Sequence, residues 1–224
     1  MAGEIVTFKK WLLGKPDREF AKQASLEFDI DPFTALIAGG RGINDLSELE
    51  YFLSDELLIS DPKLLIDIDK AAETINEAID SGLKIAVFGD YDCDGVCATA
   101  ILVRTLEALG AAVSPFLPER LTEGYGMSEA SVARMLREHP DVSLVVTVDN
   151  GINSVAPVAD LKAKGVEVVV TDHHLAGPEL PDAQAIVNPK VAAPDRLQNL
   201  CGAGVAFMLA NRIVSEAKRR GMYK

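Results

Sequence analysis

From Lys84 to the carboxyl terminus the chain alternates short apolar, β-branched runs with segments of helix length. The runs KIAVFG, AVSPFL, SLVVTVD, VEVVVTD and QAIVNP are separated by helix candidates at 95–110, 128–138, 154–164 and 203–220. Strands that alternate with helices require crossover connections, so the pattern predicts an α/β fold, a mainly parallel Rossmann-like sheet with helices on both faces. Ser128 and Ser154 stand where helix N-caps belong, and Gly82, Gly110 and Gly165 stand where helices should stop. Over 95–110 only Arg104 and Glu107 are charged, which predicts a helix buried in the centre of the layers.

Ahead of this region, residues 1–83 read as a helical lead-in to an α/β domain at 84–224. In DIDKAAETINEAIDS, residues 67–81, the positions Ile68, Ala71, Ala72, Ile75, Ala78 and Ile79 fall on one helical face. No apolar run approaches the ~18 residues of a membrane-spanning helix, and the first twenty residues carry charges throughout rather than a signal-peptide core. A cytoplasmic protein is expected. Three cysteines, Cys93, Cys97 and Cys201, make an odd count without zinc-like pairing and argue for reduced thiols. A net charge of -12 argues against a generally basic nucleic-acid surface, although Arg120, Arg134, Arg137, Lys162 and Lys164 leave room for local contacts.

Three of the strand candidates end in an acid: AVFGD at Asp90, VVTVD at Asp149 and VVVTD at Asp172, the last followed by His173 and His174. Ligands of an open parallel sheet bind beyond the carboxyl ends of its strands, so neighbouring strands would send all three acids into one crevice. The stretch GDYDCDG adds Asp92 and Asp94 at alternate positions, which an extended chain points to the same side. Carboxylates gathered in one place repel one another and are costly to desolvate unless cations are present. Mostly carboxylate with one or two imidazoles suits Mn²⁺ or Mg²⁺, and two such ions ~3.5–4 Å apart can steady an in-line phosphoryl displacement. Any one of these acids alone is commonly a loop or cap residue; their conjunction is what points to a metal. Asn150–Gly151 also reads as a turn, and CGAG at 201–204 as tight packing.

These residues resemble the DHH phosphoesterase superfamily and, within it, the RecJ-like family of single-strand-specific exonucleases. VFGDYDCDGVCATAIL is similar to the first motif, VTVDNGI to the second and VTDHH to the third, while PERLTEGYGMS, AIVNPK and LCGAGVAFMLA are similar to connecting segments. The resemblance implies that Asp92 and Asp94 divide between two Mn²⁺ or Mg²⁺ ions, with Asp90 supporting the first. It further implies that Asp149 bridges both ions, that His173 binds the second, and that His174 orients the scissile phosphate. Asp172 would hold the histidine pair. The implied reaction is hydrolysis of single-stranded DNA from the 5′ end in repair and recombination, with repair or single-strand-binding proteins as partners and no membrane; the alternatives are a DHH phosphodiesterase acting on short oligonucleotides or cyclic dinucleotides, and a non-catalytic replication or repair subunit with the same fold. The family places a fourth acidic motif and a substrate-binding domain after the segment that ends here at Lys224. The chain is therefore expected to be an amino-terminal portion, with the second ion one ligand short. Trp11 and Tyr125 are the aromatic candidates for stacking on bases.

Overall fold

The computed structural model describes residues 17–54, 60–124, 126–194 and 197–221. Trp11 and Tyr125 lie outside the described residues. The chain divides into two compact units, Met1–Ile59 and Ser60–Lys224.

The first unit contains α1 (Arg18–Phe28), α2 (Pro32–Gly40) and α3 (Leu46–Leu53). An aspartate opens each helix: Asp17, Asp31 and Asp45 accept the N–H groups of Glu19 and Phe20, of Phe33, and of Ser47 and Glu48. Such caps satisfy donors that have no partner inside the helix and stabilise it by ~1 kcal/mol each. Phe20, Ala24, Ala35 and Leu49 form the buried core of this unit.

The second unit is built on a sheet of β1 (Lys84–Phe88), β2 (Ala112–Phe116), β3 (Val142–Thr147), β4 (Glu167–Thr171) and β5 (Ala185–Val187). All four pairings are parallel, and the spatial order is β2-β1-β3-β4-β5. The helices are α4 (Ile68–Asp80), α5 (Cys93–Ala108), α6 (Glu129–Glu138), α7 (Val155–Ala163) and α8 (Gly202–Arg219). Alternation along the strands sorts the core into two layers. Ile85, Val87, Val146 and Val169 pack under α4, α5 and α8 on one face. Ala86, Phe88, Val145 and Val170 pack under α6 and α7 on the other.

The break between the units falls at Ile59/Ser60 rather than after residue 83. The apolar stripe of α4 explains why, since Ile68, Ala71, Ala72 and Ile75 share a core with Val87, Val146 and, from α8, Leu209 and Ile213. A second difference concerns α5. Ala98, Leu102 and Leu106 are buried, yet Val96 is 45% exposed and Cys93, Cys97 and Ala100 are exposed. The helix carries few charges, yet it is covered on only one side among the described residues. At the helix ends, Gly82, Gly110 and Gly165 have φ of 67°, 81° and 80°, and the Ser128 hydroxyl accepts the N–H of Ser131. Ser154 occupies the cap position of α7 without a capping bond, because its hydroxyl donates to the carbonyl of Met127 at 3.1 Å.

Candidate metal centre

Strand register brings the acids to one level. Phe88 pairs with Thr147, and Thr147 pairs with Val170. Asp90, Asp149 and Asp172 each lie two residues beyond this row. The connection from β1 leads through α5 to β2 on one side while β3 flanks it on the other, so the crevice between β1 and β3 is where chain connections diverge.

The turn after β1 is shaped by three contacts. Asp92 caps α5, its carboxylate accepting the N–H of Gly95 at 2.9 Å. Gly95 lies against the backbone of Asp90, where a β-carbon would stand 2.5 Å from the carbonyl oxygen. Asp94 reaches across to α8 and accepts the N–H groups of Gly202 and Ala203, both at 2.7 Å. The amino end of α8 is thereby clamped onto the first motif by residues more than a hundred positions away. Gly202 also lets α8 approach Asp149, since a β-carbon there would stand 2.4 Å from Asp149 Oδ1.

After β3 the chain turns through Asp149 at φ 63°, a left-handed conformation that aspartate adopts more readily than most residues. Asn150 holds the turn: its amide donates to the carbonyls of Phe88 and Val148 and so ties β1 to β3. Gly151 completes it at φ 107°. The turn signal in DNG and the acid at the strand end are thus one device, which presents the Asp149 carboxylate to the crevice.

After β4, Asp172 is the organiser. Its Oδ1 accepts the N–H groups of His173 at 2.7 Å and His174 at 3.1 Å and lies 2.7 Å from His174 Nδ1, while Oδ2 accepts the N–H of Ile152 at 3.0 Å. This bond occupies Nδ1 of His174 and leaves Nε2 as the atom through which that ring can act. His173 faces two other acids, with Nε2 2.9 Å from Asp149 Oδ1 and 3.5 Å from Asp94 Oδ2. The 2.9 Å approach has ion-pair distance without hydrogen-bond directionality, so these are two ligand atoms facing one space.

The electrostatics follow from that crowding. Burial raises the Asp149 carboxyl to about 7, and the charges of Asp94 and Asp92 add to the effect. Asp90 is raised too, chiefly by burial, with the N–H of Tyr91 acting in opposition. Burial also opposes ionisation of Asp94, but the N–H donors of Ala203 and Gly202 outweigh it and hold that group low. Burial, then the neighbouring His174, keeps His173 below its ordinary value and so in the neutral form that a metal requires. Both side-chain oxygens of Asp90 and Oδ1 of Asp149 are buried without a hydrogen-bond donor.

Buried carboxylate oxygens without a hydrogen-bond donor and with raised pKa suit a cation, whose charge would offset their desolvation. The donor atoms of Asp90, Asp92 and Asp149 lie within 4.8 Å of one another, and so do those of Asp149, His173 and His174. Asp149 is common to both sets. Asp94 is in neither, but a carboxylate oxygen that accepts one N–H retains a second lone pair toward His173.

The family model for the amino-terminal domain of DHH proteins matches residues 84–223. The chain belongs to the DHH family. Among curated DHH relatives, the chain is 37% identical to the single-stranded-DNA-specific exonuclease RecJ of Bacillus subtilis over 92% of its own length and 26% of that protein. It is 38% identical to RecJ of Thermus thermophilus over 89% of its length and 28% of that protein. The chain thus spans between a quarter and a third of these relatives. A crystal structure of exonuclease RecJ bound to manganese superposes with a TM-score of 0.62 at 44% identity, covering 70% of this chain and 39% of the other. RecJ of Thermus thermophilus in complex with Mn²⁺ superposes with a TM-score of 0.68 at 34% identity, covering 92% of this chain and 28% of that one.

Several residues of this DHH domain that shape the crevice escape a reading of the sequence. The N–H donors of Gly202 and Ala203, the amide of Asn150, and Asn188, whose amide donates to the carbonyl of His174 at 3.0 Å, all act through the tertiary fold. The only signal for Gly202 is the CGAG stretch, and tight packing is indeed its role, against a candidate ligand. Gly202→Ala is expected to weaken Mn²⁺ binding by at least about tenfold while leaving the fold intact, because the added methyl displaces the Asp149 carboxylate. Isothermal titration checks this, and an unchanged affinity would show that the two elements separate freely.

Arg134 has a comparable role in the β2–α6 connection. Its guanidinium makes a bidentate pair with Glu123 at 2.7 and 3.0 Å, donates to the carbonyl of Leu117 at 2.7 Å and lies 4.2 Å from the ring centre of Phe116. The connection it holds carries Arg120, which stacks 5.2 Å over Tyr91 and whose charge reaches Asp90. Arg134→Lys cannot reproduce the planar fork and is expected to loosen this segment. Faster amide exchange across residues 117–124 would report it.

Proposed function

We propose that this chain is the metal-binding catalytic portion of a 5′-to-3′ exonuclease that hydrolyses phosphodiester bonds of single-stranded DNA in repair and recombination. The observation that carries the reading is the pair of donor sets sharing Asp149 at the carboxyl ends of β1, β3 and β4. Asp90, Asp92 and Asp149 would hold one Mn²⁺ or Mg²⁺. Asp149 and His173, supported by Asp94, would hold the other. Such ions supply charge neutralisation for the phosphodiester and lower the pKa of attacking water. His174 would orient the scissile phosphate through Nε2, and Asp172 would fix both imidazoles through the bonds described. Arg120 and Lys190 are the cations whose charges reach Asp90 and His173, and they are suited to the DNA backbone.

The similarity to RecJ of Thermus thermophilus, solved both with Mn²⁺ and with Mg²⁺, supports this choice of metal and substrate class. A cytoplasmic setting, with repair or single-strand-binding proteins as partners, accords with a DNA substrate. No helix among the described residues is long and apolar enough to cross a membrane.

The test is incubation with 5′-labelled single-stranded DNA and Mn²⁺, with Asp149→Asn and a duplex as controls. Mononucleotide release by the wild type alone is the expected result for a competent chain. Cleavage of dinucleotides without attack on longer DNA would instead assign the centre to small phosphoesters.

Protons should compete with the metal. Because Asp149 titrates at about 7, Mn²⁺ affinity is expected to fall by roughly tenfold per pH unit below that value and to level off above it. Titration calorimetry between pH 5.5 and 8.5 measures this slope, and a flat profile would mean that Asp149 is not a ligand.

A further inference from the structure

All three cysteines of the chain gather where α5 and α8 begin, and the metal centre uses none of them. Cys93 is the first residue of α5, between Asp92 and Asp94, and Cys97 follows one turn later. They stand one turn apart, both are free and exposed, and the Cys93 side chain raises the Cys97 thiol above its ordinary value. Cys201 caps α8, accepting the N–H of Gly204 at 3.3 Å and bonding to Asp94.

We propose that Cys93 and Cys97 are an oxidisable pair, a modification site for hydroperoxides, whose disulfide form is incompatible with metal binding by the Asp92–Asp94 turn. The proposal rests on the reading of that turn as part of a metal centre. Residues four apart on a helix hold their β-carbons ~5–6 Å apart. A disulfide requires ~3.5–4.5 Å. Closing the bond therefore distorts the first turn of α5. That turn carries the Asp92 cap on Gly95 and the Asp94 grip on Gly202 and Ala203. It cannot shift toward β1, because Gly95 already lies against the backbone of Asp90. The carboxylates of Asp92 and Asp94 must move out of the crevice instead. A strained, exposed disulfide is also readily reduced, which makes the change reversible.

The chemistry balances with peroxide as oxidant. One thiolate attacks the O–O bond, forming an S–O bond and expelling hydroxide, which is protonated to water. The second thiol attacks that sulfur, the S–S bond forms, and the S–O bond breaks to release a second water. Two electrons and two protons pass from the thiol pair to the peroxide. By linkage, bound metal should disfavour the disulfide at equilibrium by the same factor by which the disulfide weakens metal binding.

The experiment treats the metal-free chain with hydrogen peroxide, removes the oxidant, maps disulfides by peptide mass and titrates Mn²⁺ before and after dithiothreitol. Expected are a Cys93–Cys97 cross-link, a Mn²⁺ affinity at least about tenfold weaker than that of the reduced chain, and full recovery on reduction. The Cys97→Ser variant, which lacks one thiol of the pair, should form no Cys93 cross-link within α5 and lose no affinity on treatment, whereas Cys201→Ser should respond like the wild type. A cross-linked chain that binds Mn²⁺ as tightly as the reduced one overturns the proposal, as does an equal loss of affinity in Cys97→Ser or the absence of a cross-link. A reduced chain that takes up no Mn²⁺ overturns the metal reading itself and this proposal with it.

Discussion

Asp149→Asn is expected to abolish Mn²⁺ binding at both donor sets, an effect of at least about 100-fold, while leaving the metal-free protein as stable as the wild type or more so. The first half follows from sharing, because Asp149 belongs to both sets while each of the other candidate ligands belongs to at most one. Asp90→Asn, by comparison, should weaken one set only. The second half follows from the burial that drives Asp149 to about 7. Asparagine keeps the shape, tolerates the left-handed backbone at φ 63° and removes a charge that faces Asp94 and Asp92. The sign of the pH dependence can be checked in the same proteins. The native acid holds a proton between its ordinary 3.8 and about 7, where the unfolded chain has released it. The contribution of Asp149 to stability without metal should therefore be fully present below about pH 4, decline as pH rises and be lost above about 7. Thermal melts without metal measure it, and the variant should lose that part of the decline.

Asp172→Ala should behave in the opposite way, destabilising the fold by roughly 3–5 kcal/mol whether or not metal is present. Its carboxylate is 1% exposed and meets the N–H groups of Ile152, His173 and His174 as well as the His174 ring. Removing it strands buried donors at ~1–3 kcal/mol each. Asparagine offers one acceptor oxygen where two are used, so Asp172→Asn should recover only part of the loss. Urea unfolding of the metal-free variants separates the cases. If Asp172→Ala were as stable as Asp149→Asn, the assignment of one acid to scaffold and the other to ligand would be wrong. Three acids at one sheet level thus divide by what surrounds them: Asp172 is saturated with donors, whereas both oxygens of Asp90 and one of Asp149 have none.

That division marks the limit of what the sequence discloses. The strands and their order of acids were legible because parallel strands buried on both faces read as continuous apolar runs, and an acid at the end of such a run stands out. The helical stripe at 67–81 was equally plain, but its periodicity says only that one face is buried, not against what. Its partner turned out to be α8, so the helix belongs with the sheet. In α5 the absence of charge indicates which residues can be buried, and Val96 and Cys97 show that they need not be. Contacts between distant segments left no local trace. Nothing near Asp94 announces the N–H groups of Gly202 and Ala203, and nothing near Cys97 announces Cys201. Likewise the convergence of the three acids depends on β1, β3 and β4 being neighbours, which the sheet order shows them to be.

The most direct test of the account is to count Mn²⁺ ions on the purified chain at pH 8 by equilibrium dialysis, for wild type and Asp149→Asn side by side. The shared-ligand centre predicts more than one ion per wild-type chain at saturation and none on the variant at the same free concentration. A variant that retains one ion at wild-type affinity would contradict it, because one donor set would then be complete without Asp149.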